Sequence, residues 1–210
     1  DDQWHTPSIL PGWTVADIVA HIAGTEWMLT GREVEASRDV RELQHVRNSI
    51  GELNERWLDH YRAKSRAELM ADLREVTASR LSSMEAMTEQ QWDAEGFTPA
   101  GPDSFGRFMR IRVFDCWLHE IDIRDTLNLG VPTDVLPATY AKREMVASLP
   151  YLIGKRAEAP AGATVTIEFT GLAPAAVHVA VETRAAVVPA IDGIADVVLT
   201  VDLVDYARLI

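Results

Sequence analysis

Apolar residues recur every three to four positions along roughly the first 130 residues, and every second position near the end of the chain. The first period predicts helices and the second predicts strands. Thr14 and Asp17 have the spacing of a capping box, and an amphipathic run follows to about Gly31. A long polar helix is predicted over Val40 to Tyr61, with Ile50, Leu53, Trp57 and Leu58 on its apolar side. A third is predicted from about Arg66 to Thr88, carrying Leu69, Leu73, Val76, Leu81 and Met84 at helical spacing. Gly96 to Pro102 reads as loop, and a fourth helix follows from Asp103 or Ser104 to about Leu127. Four helices of this length argue for a bundle.

The pattern shifts after Asn128-Leu129-Gly130-Val131-Pro132. One more helix is predicted from Asp134 to Leu152. Ala163 to Thr170, Ala176 to Glu182 and Ala195 to Val201 then alternate as strands, and Asp202 has the character of an N-cap for a terminal helix. The expected fold class is α+β: a helical bundle over residues 1–130 and a small α+β domain over 131–210. The chain does not begin with Met and stops inside an apparent helix, so it reads as a piece trimmed from a longer protein.

Within the fourth helix a narrow polar stripe interrupts an apolar surface. At about 100° per residue, Asp115 and His119 lie about 40° apart and Asp122 about 20° to the other side of Asp115, with Arg112 on the same stripe. Ile111, Val113, Phe114, Trp117, Leu118 and Ile121 surround them. Burying an unpaired carboxylate is costly, so such a stripe calls for a cation. An Asp and a His four residues apart present two ligands to one ion. His21, flanked by Val19, Ala20, Ile22 and Ala23 in the first helix, could complete a two-His, one-carboxylate set with positions open for chemistry. The plainer alternatives are a core histidine bonded to a carbonyl at His21, and a local ion pair at Asp115. Asp122 reads either as a partner that orients a ligand histidine or as a salt bridge to Arg112 or Arg124. The Arg107, Arg110 and Arg112 cluster suits a substrate carboxylate or simple charge balance. Cys116 and Glu120 turn away from the stripe, Cys116 toward packing and Glu120 toward solvent. His45, Arg47 and Asn48 read as a surface helix face or as the mouth of the site.

Composition narrows the partners. A net charge of −12 argues against nucleic acid and anionic membrane surfaces. One cysteine excludes an internal disulfide and a Cys-rich zinc site, which fits a cytoplasmic location. No window approaches the roughly 18 apolar residues of a membrane span, and the first residues lack the basic and apolar stretches of a signal peptide.

The run Leu10-Pro11-Gly12-Trp13-Thr14-Val15-Ala16-Asp17-Ile18-Val19-Ala20-His21-Ile22-Ala23-Gly24 resembles the opening of the mycothiol-dependent maleylpyruvate isomerase family, one of the DinB-like metal-binding four-helix bundles. Phe108 to Arg124 resembles its second ligand motif. The resemblance implies metal ligands at His21, Asp115 and His119, a small C-terminal α+β domain, zinc as the ion and mycothiol or a similar thiol as cosubstrate. The isomerase itself carries Glu where this chain has Asp115. The shorter side chain draws the ion closer to the helix and separates the metal site from the particular isomerase reaction. Metal coordination deprotonates a thiol whose free pKa is about 8.5. The thiolate would attack a small soft electrophile, by cis–trans isomerisation or S-transfer. Two other readings remain open: a non-enzymatic module that binds a small ligand, and a thiol-independent hydrolase in which the metal activates water.

Overall fold

The computed structural model describes residues 2–210, and these form two compact units. The first comprises residues 2–93 and 122–130, and the second 94–121 and 131–210.

In the first unit a 3-10 turn at Asp2–His5 precedes α1 (Val15–Leu29), α2 (Ser49–Arg62), α3 (Arg66–Glu85) and the short α4 (Glu89–Trp92). Capping boxes start three of these helices: Thr14 with Asp17, Ser65 with Glu68 and Thr88 with Gln91. Each cap satisfies amide groups that the first turn leaves open. Ala20 and Ala23 of α1, Trp57, Leu58 and Tyr61 of α2, and Leu69 of α3 form the core. Gly24 brings α1 close to α2, since a Cβ there would sit 2.6 Å from Cβ and Cγ of Trp57.

The helix expected over Val40 to Tyr61 begins only at Ser49. Asn48 Oδ1 accepts from Gly51 N at 2.9 Å and fixes the start there. Upstream, Val40–Glu42 makes one 3-10 turn and buries Val40. Ile50, Leu53 and Leu81, expected on apolar faces, are exposed. The third helix ends at Glu85 because Thr88 caps a new one.

In the second unit β1 (Glu95–Gly96) and β2 (Asp103–Ser104) pair across the expected loop, and α5 (Phe105–Leu127) follows, its last residues counted with the first unit. Next come α6 (Val135–Tyr151), capped by Asp134, and one π turn at Leu152–Arg156. Pro150 lacks the amide hydrogen that an α-helical turn would use, and the ladder widens just after it: Ala157 N donates to Leu152 O at 2.8 Å.

The sheet has β3 (Thr164–Thr170), β4 (Ala175–Val181), β5 (Ala185–Val188) and β6 (Val197–Asp202), ordered β5-β4-β3-β6. β3 pairs antiparallel with β4 and parallel with β6. The alternation seen in the sequence buries Val165, Ile167 and Phe169 on β3 and Val179 and Val181 on β4. Val165, Ile167, Phe169 and Val179 join Trp117, Ile121, Ala138, Ala141, Met145 and Leu149 in one core. Asp202 caps the terminal α7 (Leu203–Ala207). His178 faces opposite to Val179, and its Nδ1 lies 2.9 Å from Thr166 Oγ1. Among the described residues, no helix is long and apolar enough to cross a membrane.

Candidate functional site

α1 carries His21 about two turns past its capping box. Asp17 Oδ2 accepts from Thr14 N at 2.8 Å and from Thr14 Oγ1 at 2.9 Å, while Asp17 N donates back to Thr14 Oγ1. This double lock fixes where the helix begins, and hence which way His21 faces. His21 is 5% exposed and sits beside buried Ala20 and Ala23. The Trp13 indole lies against its imidazole, with ring centroids 5.4 Å apart and planes tilted by 43°.

On α5, Asp115 and His119 stand one helical turn apart with their side chains adjacent. His119 Nε2 and Asp115 Oδ1 are 3.7 Å apart, too long for a hydrogen bond. The second carboxylate oxygen of Asp115 accepts from Arg112 Nη1, and Arg112 itself is buried. Arg112 Nη2 also points to Cys116 Sγ at 3.7 Å. Cys116 is half-buried beside the stripe rather than buried packing, and Glu120 is half-buried rather than solvated. Asp122 is half-buried, and its backbone carbonyl accepts from Thr126 Oγ1 at 2.7 Å.

Each of His21, Asp115 and His119 offers one ligand atom within 4.8 Å of the other two. No other group of three or more His, Cys, Asp or Glu side chains among the described residues could hold an ion in this way.

The remaining candidates go elsewhere. Arg107 and Arg110 both donate to Glu144 of α6, and Arg107 also reaches Asp103. His45 and Asn48 belong to no common helix face. Asn48 caps α2, and His45 Nε2 lies 2.8 Å from Glu55 Oε1.

No motif in the sequence marks Glu55. It is 1% exposed, accepts from Trp13 Nε1 at 2.7 Å and from Arg62 Nη1 at 3.2 Å, and also meets His45. Arg62 further donates to Asp17 Oδ1 at 2.8 Å and to the Gly12 carbonyl at 3.3 Å. The available signal is that Glu55 and Arg62, seven residues apart, share one face of a helix that also buries Leu58. A pocket of about 230 Å³ in the first unit is lined by Asp17, Arg62, Lys64 and Tyr61, but His21 is not among its walls.

A family model described as the mycothiol maleylpyruvate isomerase N-terminal domain matches residues 1–124, well over half of the chain. The chain belongs to that family. An uncharacterized protein of Mycobacterium tuberculosis, found in strains CDC 1551 / Oshkosh and ATCC 25618 / H37Rv, is 28% identical over 145 residues. The match covers 69% of this chain and 53% of the relative, so the chain spans about half the length of the curated relatives it matches. The crystal structure of the mycothiol-dependent maleylpyruvate isomerase superposes over 99% of this chain and 77% of its own, with a TM-score of 0.57 and 16% identity. A mutant of that enzyme gives 0.56 over the same shares. The shared fold is thus helices first and a small sheet-bearing part after them, as the sequence pattern predicts.

Proposed function

We propose that the chain holds one divalent cation, zinc by its donor set, on His21, Asp115 and His119. In this reading it uses mycothiol or a similar low-molecular-weight thiol for isomerase or S-transferase chemistry on a small electrophile. The observation that carries the reading is the 3.7 Å separation of His119 Nε2 from Asp115 Oδ1 on one helix face. Ligand bonds of about 2.0–2.2 Å put two donors of a tetrahedral ion about 3.4 Å apart. The 3.7 Å spacing supports two ligands of one ion and exceeds a hydrogen bond. Two nitrogens and one oxygen leave coordination positions open, as in catalytic rather than structural zinc sites.

A bound zinc ion would supply a thiolate at neutral pH by stabilising the deprotonated form of a thiol. The chain's own residues do the rest. Arg112 occupies one oxygen of Asp115 and leaves the other facing His119. Burial of His21 keeps bulk water from its ring, and the capped start of α1 fixes the side of the helix from which it projects. All three ligands precede residue 130, which makes residues 1–130 the metal-bearing part of this reading and 131–210 an added α+β part. The membership shown by residues 1–124 supports the thiol, and the acidic chain with its one cysteine supports a cytoplasmic setting without nucleic acid.

A second reading rests on the Arg112–Asp115 pair, which already gives the carboxylate a cationic partner. The stripe would then be a structural ion pair in a protein that binds a small ligand without catalysis. Metal analysis after reconstitution with Zn²⁺ separates the two. About one equivalent that disappears in His119→Ala, with helical content retained, supports the metal site, and no retained metal removes it. Screening cis-alkene and other electrophilic acids with and without thiol then tests the reaction. Turnover that persists without thiol would replace thiol chemistry by metal-assisted hydrolysis.

A further inference from the structure

We infer that Trp13, held by the buried carboxylate of Glu55, is a positioning residue for His21. The inference rests on the proposed metal role of His21, but its geometry stands apart from any ion. The turn that carries Trp13 is tied down on every side. Trp13 N donates to Leu10 O at 3.1 Å, and its carbonyl accepts from Ser8 N at 2.8 Å and Ser8 Oγ at 2.9 Å. The preceding Gly12 carbonyl is gripped by Arg62, and the following Thr14 is locked in the capping box. Gly12 has φ +80°, and a Cβ there would meet the His45 ring at 2.9 Å, so this turn accepts only glycine without rearrangement.

The indole N–H then goes to Glu55 Oε1 at 2.7 Å, a charge-assisted bond in a nearly water-free place. With backbone and ring nitrogen both fixed, the indole plane rests against the His21 imidazole. Metal-ligating histidines depend on neighbours that hold the ring orientation, and loss of such neighbours typically costs 10–100-fold in metal affinity. That hold usually comes from a hydrogen bond to the far ring nitrogen. In this chain an aromatic ring that a buried glutamate on α2 has itself oriented also bears on the imidazole. The Glu55 network thereby links the end of α2 to the ring angle of a residue on α1.

The test uses the whole chain and two readouts: ¹³C relaxation at His21 Cδ2 in metal-free protein, and Co²⁺ affinity with its visible d–d spectrum. Glu55→Leu and Trp13→Phe, which both remove the indole–carboxylate bond, are expected to loosen the His21 ring. They should also weaken Co²⁺ binding about tenfold and shift the d–d envelope. Glu55→Gln keeps an acceptor for the indole and is expected to restore wild-type ring order. Leu69→Ala, a core truncation in the same unit, is expected to lower thermal stability while leaving ring order and Co²⁺ affinity in place. An unchanged His21 ring in Trp13→Phe overturns the inference, as does an equal loss of affinity in Leu69→Ala. If the wild-type chain binds no Co²⁺, the metal reading falls. The relaxation of the His21 ring still decides whether Trp13 positions it.

Discussion

Gly24→Ala sets two effects of similar size against each other, and the structure says which wins. Gly24 lies inside α1, where replacing glycine by alanine gains about 1 kcal/mol in helix propensity. The new methyl group would stand 2.6 Å from Cβ and Cγ of Trp57 and 2.9 Å from its Cδ2. Trp57 is 2% exposed, and its Cβ is fixed to the backbone of α2, so the ring has nowhere to swing. Overpacking of a closed core costs about 1–3 kcal/mol, and a contact this tight belongs at the upper end. The net expectation is a loss of about 2 kcal/mol, or a fall in Tm of roughly 4–8 °C for a chain of this size. Gly51→Ala is the matched comparison. It is the same exchange in the first turn of α2, where the nearest atoms to a Cβ are at 3.6–3.9 Å, an ordinary contact. It should stabilise by about 0.5–1 kcal/mol. Circular-dichroism melts and urea titrations of both variants check the pair. A neutral or stabilising Gly24→Ala would refute the claim that the approach of α1 to α2 is set by van der Waals contact at this glycine.

Three further outcomes are expected. Burial, reinforced by the charges of Lys64 and Arg32, holds the His60 pKa below its ordinary value. The unfolded chain then takes up a proton near pH 6.5 that the folded chain refuses. Stability should be full above that pH and fall as pH drops below it, less steeply in His60→Gln; parallel pH profiles of ΔG for the two proteins would contradict this. Arg112→Met removes the group that holds one oxygen of Asp115, and on the metal reading it should weaken Zn²⁺ binding 10–100-fold by calorimetric titration. Undiminished affinity would show that Arg112 does not orient the ligand. Gly171→Ala combines a left-handed backbone at φ +76° with a Cβ 1.9 Å from Asp202 Oδ2, the side chain that caps α7. Backbone strain and loss of the cap together predict about 2–4 kcal/mol. Gly193→Ala, at φ +77° with nothing within 4 Å of the Cβ, should cost only the strain. Equal melting shifts for the two would remove the cap from the argument.

Much of this architecture is legible from period and caps alone. The Thr14–Asp17 box, the extent of α5 and the alternation of β3, β4 and β6 all depend on local chemistry that a single segment displays. β5 escapes because Ala185-Ala186-Val187-Val188 is short and has no polar alternation, and it is defined only by pairing with β4. The false helix over residues 43–48 has a different cause. Helical periodicity continues through it, but Asn48 offers a better start and His45 is drawn to Glu55. Within the candidate site, the i, i+4 spacing on one rigid helix makes Asp115 and His119 readable. Helical spacing puts Arg112 on their stripe, and the structure shows which oxygen it holds. Glu55 and Trp13 could not be paired from sequence, because 42 residues separate them and neither carries a motif for the other.

The chain's path through its two units bears on how it folds. Residues 122–130 complete the first unit, yet they are synthesised after residues 94–121, which belong to the second. Trp117 and Ile121, in turn, pack with Ala138, Met145 and Phe169, which come later still. During vectorial synthesis the segment bearing Asp115 and His119 therefore waits, with its apolar side uncovered, for the sheet-forming half of the chain to arrive. A fragment cut at residue 130 would keep all three proposed ligand side chains and lose the core that gives α5 its fixed place.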